Sequence, residues 1–403
     1  MRNLLRRNPA LANREFRTLC LDGVCYANGT GGEQVVFGLL VLQITGSSWW
    51  VGVAFALYFA PLLLVGAPAG ALADWLPRRF LLRIVQLAIG LNLTIVGLLI
   101  GLGDLELWHL LLVTFISGCV RSVYQPARLS YAVDLVGSGN AASSLAMLQL
   151  GNRIGQGLGA ILAGVIMQYL GAQTAYIVLA LGHFVGFFVL GTLKTKGGVV
   201  THERTSLAQT FRDYGLEMVR NRTLGVLVIA TAAVNIFGFA FMAVLPELVT
   251  GRLGLGAQAL GLLTASRALG GALAMLVFAF WGSERRLGTL YAGVVLVFGI
   301  GLILLALAGS FVAAIGALLI VAATASLTDV LSQAMMQRAV ADHLRGRAMG
   351  AWMISVGMSP LGALEIGAVA AHYGEHVALA CNGVAVIVCA GLIGLVVTRM
   401  NRL

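Results

Sequence analysis

GALADWLPRR, residues 70–79, sets an acid, a proline and two arginines between two apolar runs of helical length. Neither the carboxylate of Asp74 nor the guanidinium groups of Arg78 and Arg79 is tolerated facing hydrocarbon, so the stretch reads as a short water-facing loop between membrane spans. The rest of the chain fits that reading. Hydrophobic residues make up 59% of the 403 and charged residues only 10%, whereas a soluble domain carries about 25% charged residues. The sequence therefore predicts an all-α, multi-pass membrane protein.

At roughly 20 apolar residues per span, the chain divides into twelve segments: 17–45, 49–73, 79–101, 106–130, 139–168, 172–193, 223–250, 257–281, 287–308, 311–337, 346–371 and 376–398. All but four of the 26 Lys and Arg residues fall on one face of this map; Arg252 lies on the other, and Arg121, Arg153 and Arg267 lie within spans. The net charge of +10 is thus a topology signal rather than a nucleic-acid signal. By the positive-inside rule the basic face and both termini are cytoplasmic, in a bacterial inner membrane. Residues 1–17 form a basic tail before a span too long for a signal-peptide core, so the first helix is expected to be retained.

The one long connection, 194–222, divides the chain into six-span halves, 1–193 and 223–403. Ser206 and Gln209 in it resemble a capping box, and Leu207, Phe211, Tyr214 and Met218 recur at helical spacing, which fits a short amphipathic surface helix or a solvated linker. Cys20, Cys25, Cys119, Cys381 and Cys389 show neither CxxC nor Cys/His spacing and read as small buried hydrophobes, so no metal site and no cofactor is expected. Glycine pairs such as Gly66 with Gly70, Gly97 with Gly101 and Gly155 with Gly159 stand at the spacing that lets helix backbones approach closely.

GALADWLPRR is similar to the loop 2–3 signature of the major facilitator superfamily, G-x-L-A-D-x-x-G-R-R, with Gly70, Leu72, Asp74, Arg78 and Arg79 matching and Pro77 in place of a glycine. LVLQITGSSWWVG (40–52), PARLSYAVDLV (126–136) and QRAVADHLRGRAMG (337–350) resemble the branch that holds enterobactin exporters and macrolide efflux proteins. RIGQGLGA (153–160) resembles the antiporter motif G-P-x-x-G-G with Gln156 where proline is expected. The resemblance implies two pseudo-symmetric six-helix bundles. It also implies a cytoplasmic gate in which Asp74 and Arg78 link span 2 to span 4 and span 11, with Asp134 as a partner for Arg78.

An ionisable side chain inside a span is a functional candidate by default. Asp22, Tyr26, Gly29 and Glu33 form one stripe on span 1, and the run Asn28-Gly29-Thr30-Gly31-Gly32 is expected to loosen the backbone before Glu33, as in transporters with discontinuous helices. Glu33 is the first candidate for a proton site, set against a permanent pairing with an arginine. Arg121 and Arg153 supply the counter-charges of the first half. In the second half Asp329 is the expected partner of Arg267, leaving Glu365 as the odd acid. His183 reads as a packing histidine, His372 and His376 fall near the outer surface, and Pro246-Glu247 marks a helix end where Glu247 could guard the outer mouth.

With no phosphate loop and no Ser/His/Asp constellation, the sequence points away from an enzyme and from ATP as energy source. The expected function is proton-coupled export of a small organic molecule, siderophore or drug-like, by a monomer whose partners are that substrate, protons and membrane lipid, with no nucleic acid. Alternatives on the same fold are an uptake carrier, a lysophospholipid flippase, a metal-ion exporter or a non-transporting membrane receptor.

Overall fold

In the computed structural model the described residues are 12–137, 140–198, 221–281, 287–340 and 344–400. The surface helix expected in the linker and the loop at 282–286 lie outside them, as do the side chains of residues 66–74, Asp74 among them.

Helix α1 spans Arg14–Thr45, α2 Ser48–Trp75, α3 Arg78–Leu102 and α4 Leu107–Val136. Asn13 starts α1 by accepting the backbone N–H groups of Glu15 (2.8 Å) and Phe16 (3.2 Å), two donors that have no partner within the helix. Gly46, left-handed at φ 61°, ends it. Helix α4 continues through Pro126 to Val136, six residues beyond the expected end of its span.

The next run, α5, covers Ala141–Gly191 and is divided by Gly171, whose φ of 85° and ψ of 168° only glycine adopts readily. The second part of the chain holds α6 (Arg222–Phe239), α7 (Ala257–Trp281), α8 (Leu287–Ala306), α9 (Phe311–Arg338), α10 (Arg345–Gly357), α11 (Ser359–Tyr373) and α12 (Glu375–Met400).

Ten runs among the described residues are long and apolar enough to cross a membrane by length and composition. Helix α1, which carries Asp22, Glu33 and Gln34, is not one of them, and α5 counts once despite its break. Side chains such as Leu98, Leu162, Leu269, Leu273 and Leu392 are about half exposed on the outer surface, the apolar belt that hydrocarbon requires.

Helices α1 and α3 pack on α5, and α2 and α3 on α4; further along, α7 and α8 pack on α9, and α8 and α11 on α12. The two sets meet where α5 packs on α7 and α2 on α11. One end of the molecule, the basic face, joins Asn13 to the Leu135 carbonyl, Arg78 and the Gly198 N–H to Asp134, and Arg79 to the Gly191 carbonyl.

One expectation about continuity is corrected. The glycine run 28–32 does not loosen α1, which is unbroken from Arg14 to Thr45. A Cβ on Gly31 would strike the carbonyl of Gln156, and one on Gly159 the carbonyl of Asn28, so these glycines bring α1 against α5 backbone to backbone. The discontinuities lie elsewhere. After Phe239 the chain passes through a 3₁₀ turn (Ala240–Ala243), a short helical turn (Leu245–Glu247) and a π turn (Leu248–Arg252). The segment expected as one span over 346–371 breaks at Met358, two residues before Pro360, whose missing N–H and ring oppose an uninterrupted helix.

Candidate functional site

Both breaks border a central cavity of about 330 Å³. Gln34 of α1 and Phe55 and Phe59 of α2 form one wall; Gln149, Asn152, Arg153 and Gln156 come from successive turns of α5. Opposite stand Asn235 and Phe239 at the end of α6, the turn 240–243, Arg267 of α7, Ser326 and Asp329 of α9, and Trp352 and Ser359 on either side of the Met358 break. Because α6 ends at Phe239 rather than running on, the following turn swings Phe241 and Met242 into the wall.

Among the described residues, the charged side chains of this wall are Arg153, Arg267 and Asp329. Arg153 crosses to α9, where Nη2 donates to Ser326 Oγ at 3.3 Å; Gly271 leaves the space, since a Cβ there would meet Ser326 Oγ at 2.5 Å. Arg267 reaches the other way, to Gln34 Oε1 of α1 and Met242 Sδ, both at 3.4 Å, and its Nε has no hydrogen-bond partner. The expected Arg267–Asp329 pair is therefore not formed, and among the described residues Asp329 has no ion-pair partner. The physical reason is direction: the Arg267 guanidinium extends to Gln34 of α1 and Met242 of the turn after α6.

The other candidates from the sequence lie outside the cavity. Glu33 forms a buried ion pair with Arg121 of α4, which also donates to Thr30 Oγ1 and lies over the rings of Tyr26 and Tyr58, 5.4 Å from each centroid. Asp22, fully buried, accepts from Gln86 Nε2 of α3 and from the Tyr124 hydroxyl at 2.8 Å. Gln86 Oε1 meets His183 Nδ1 at 2.6 Å, and Tyr26 stacks on Tyr124 with centroids 3.5 Å apart. The α1 stripe is thus real, but it organises a polar network linking α1, α3, α4 and α5. Gln86 joins two halves of that network and nothing in the sequence singled it out, as a lone glutamine in an apolar helix carries no spacing signal. Glu365 on α11 stands apart, with Oε2 buried and unpartnered.

On the basic face, Arg78 pairs with Asp134 at the end of α4, and Asp134 Oδ2 also accepts the Gly198 N–H at 2.9 Å. Arg79 Nη2 donates to Gly191 O at 3.0 Å, Tyr131 to Thr195 O at 2.6 Å, and Glu15 accepts from Lys194 N at 2.6 Å. The start of the long connection is thereby tied to α1, α3 and α4.

The opposite end is closed. Gly52 of α2 lies against the Ala363 carbonyl and Gly367 of α11, and a Cβ on Gly164 of α5 would stand 2.6 Å from the Ala257 carbonyl of α7. Ser48 Oγ, at the start of α2, donates to the Glu247 carboxylate just beyond the broken α6. From mid-helix the cavity lining runs toward the basic face, through Gln149 on α5 and Trp352 on α10.

A family model described as transmembrane secretion effector matches residues 8–401. No curated protein sequence is matched. Among solved structures, a bacterial homolog of the human lysosomal transporter Spinster, in an inward-facing and unoccupied conformation, is similar with a TM-score of 0.75 at 14% identity, over 95% of this chain and 96% of that one. The nucleoside transporter NupG gives 0.76 at 11% identity, covering 95% and 98%. The POT family transporter PepTSo gives 0.74 at 12%, covering 97% and 98%. At such identities the likeness is one of fold.

Proposed function

The chain belongs to the transmembrane secretion effector family of the major facilitator superfamily, and on that footing we propose that this membrane transporter exports a small organic molecule, coupled to protons, by alternating access. The observation that carries the reading is the central cavity, bounded by helices from both parts of the chain and sealed at one end by the Gly52, Gly164 and Ser48–Glu247 contacts. Rocking two helix sets about a site at mid-membrane opens one end as it closes the other.

In this reading twelve helices cross the membrane: α1, α2, α3, α4, the two arms of α5, α6 with its broken extension, α7, α8, α9, the pair α10–α11, and α12. They form halves 1–193 and 223–403 around the 194–222 linker. The basic face is cytoplasmic in a bacterial inner membrane, and the cavity lining favours a state open to the cytoplasm. Export is supported by the secretion description of the family.

For the proton site, Asp329 is the stronger candidate, because it faces the cavity whereas Glu33 is held by Arg121. A proton-coupled carrier needs an acid whose charge state biases one orientation over the other. The test is flux in proteoliposomes under an imposed pH gradient with siderophore, macrolide and aromatic-acid probes. Gradient-driven movement out of the cytoplasmic compartment, lost in Asp329→Asn, is expected; gradient-independent flux, or flux only in the opposite direction, would overturn coupling or export respectively.

A further inference from the structure

We infer that the transported molecule is an organic anion: a flat apolar or aromatic body bearing a carboxylate or similar acidic group, bound by Arg267 together with Arg153. This rests on the transport reading and adds the chemistry of the cargo.

Charge is the first ground. Guanidinium groups stay protonated under all ordinary conditions, so among the described residues the wall holds two cations, Arg153 and Arg267, against one carboxylate, Asp329. Buried charges are normally paired, since an uncompensated one is strongly unfavourable inside a membrane. The structure satisfies that rule at Arg121 with Glu33 and departs from it at Arg267 and Arg153, and also at Arg128, whose guanidinium donates to the Leu148 carbonyl. Arg267 is held only by neutral groups at 3.4 Å, a thioether sulfur and an amide oxygen, and unlike Arg128 it lines the cavity. A guanidinium positioned this way keeps donors free for a planar, two-oxygen acceptor.

The surroundings define the rest of the molecule. Phe55, Phe59, Phe239, Phe241 and Trp352 line the cavity. Gln149, Asn152 and Asn235 add neutral hydrogen-bonding groups that orient without adding charge. A volume of about 330 Å³ is near the lower end of small-molecule pockets, roughly 300–1,000 Å³. The same two guanidinium groups disfavour an organic cation, which the net positive balance of the described wall residues repels.

The experiment compares 2-naphthoate, the neutral 2-naphthamide and the cationic 2-naphthylmethylamine. Binding to the wild-type protein in phosphatidylcholine nanodiscs is followed by quenching of Trp352 fluorescence, with Trp352→Phe as the background. The naphthoate is expected to bind at least about tenfold more tightly than the amide, the size of one charge-assisted hydrogen-bonded contact, and the amine more weakly still. Arg267→Gln removes the preference for the anion, and Arg267→Lys restores part of it. Equal or tighter binding of amide or amine, or no naphthoate binding at millimolar concentration, overturns the proposal without any variant having to fold. Proteoliposome flux of the same probes separates the two layers: anion-selective binding without flux contradicts transport alone, and flux confined to the amine contradicts the anion class alone.

Discussion

Arg121 of α4 and Glu33 of α1 form an ion pair whose side chains are only 8% and 2% exposed, enclosed by Tyr26, Tyr58 and Thr30. Removing one partner leaves the other charged and buried, which costs about 3–5 kcal/mol. Glu33→Leu and Arg121→Leu should each lower the melting temperature in detergent sharply, while the double variant loses much less than the sum. Additive losses would show that the pair is not coupled.

The glycines between α1 and α5 make a second prediction. Gly159→Ala drives a Cβ into the Asn28 carbonyl, whereas Gly182, with nothing within 4 Å, has room for one. Overpacking of a rigid contact costs roughly 1–3 kcal/mol or more, and alanine at an open helical position is neutral or stabilising by up to about 1 kcal/mol. The melting temperature should therefore fall for Gly159→Ala and hold or rise for Gly182→Ala; a comparable fall in both contradicts a close backbone approach at Gly159.

At the basic face, Arg78→Ala should release the segment that follows α5. Asp134 would lose its ion pair while still accepting the Gly198 N–H. Arg78 is only 8% exposed in this pair and Asp134 23%, so removing the guanidinium leaves a part-buried carboxylate without its cation and costs on the order of 1–3 kcal/mol. Hydrogen exchange should rise at residues 193–198 together with a modest fall in melting temperature; unchanged exchange there would mean that the pair does not hold the segment.

Much of this was legible in the sequence, for reasons specific to each feature. Long apolar runs and the basic loops mark helices and faces because hydrocarbon penalises every exception. Arg78 with Asp134 could be read from the signature loop and the end of α4. The breaks could not: the glycine run in α1 has the composition of a weak helix, yet α5 packs against it closely enough to keep it helical. Residues 240–243, AFMA, carry no breaking residue although they form the 3₁₀ turn. Pro246 and Pro360 were the available signals, displaced from the breaks by a few residues. Charge pairing was equally hidden, because helical spacing gives a side chain's face but not its reach, and Arg267 reaches α1 rather than Asp329.

On the far side, Glu247→Ala should weaken closure by removing the acceptor of the Ser48 hydroxyl. A cysteine at Asn235 in the cavity wall should then react faster with an impermeant thiol reagent added from that side, and Ser48→Ala should have the same sign. Slower or unchanged labelling in both would remove this contact from the gate.

The central claim is reciprocal opening and closing about the Arg153–Arg267 cavity. Spin-label distances measured in one nanodisc preparation test it most directly, with one pair at Trp49→Cys and Tyr373→Cys on the closed face and another at Lys196→Cys and Arg338→Cys on the basic face. On adding transported substrate across a range of pH, the account predicts a second population in which the first distance lengthens as the second shortens. Distances that stay single-valued, or that lengthen together, would contradict alternating access in this protein.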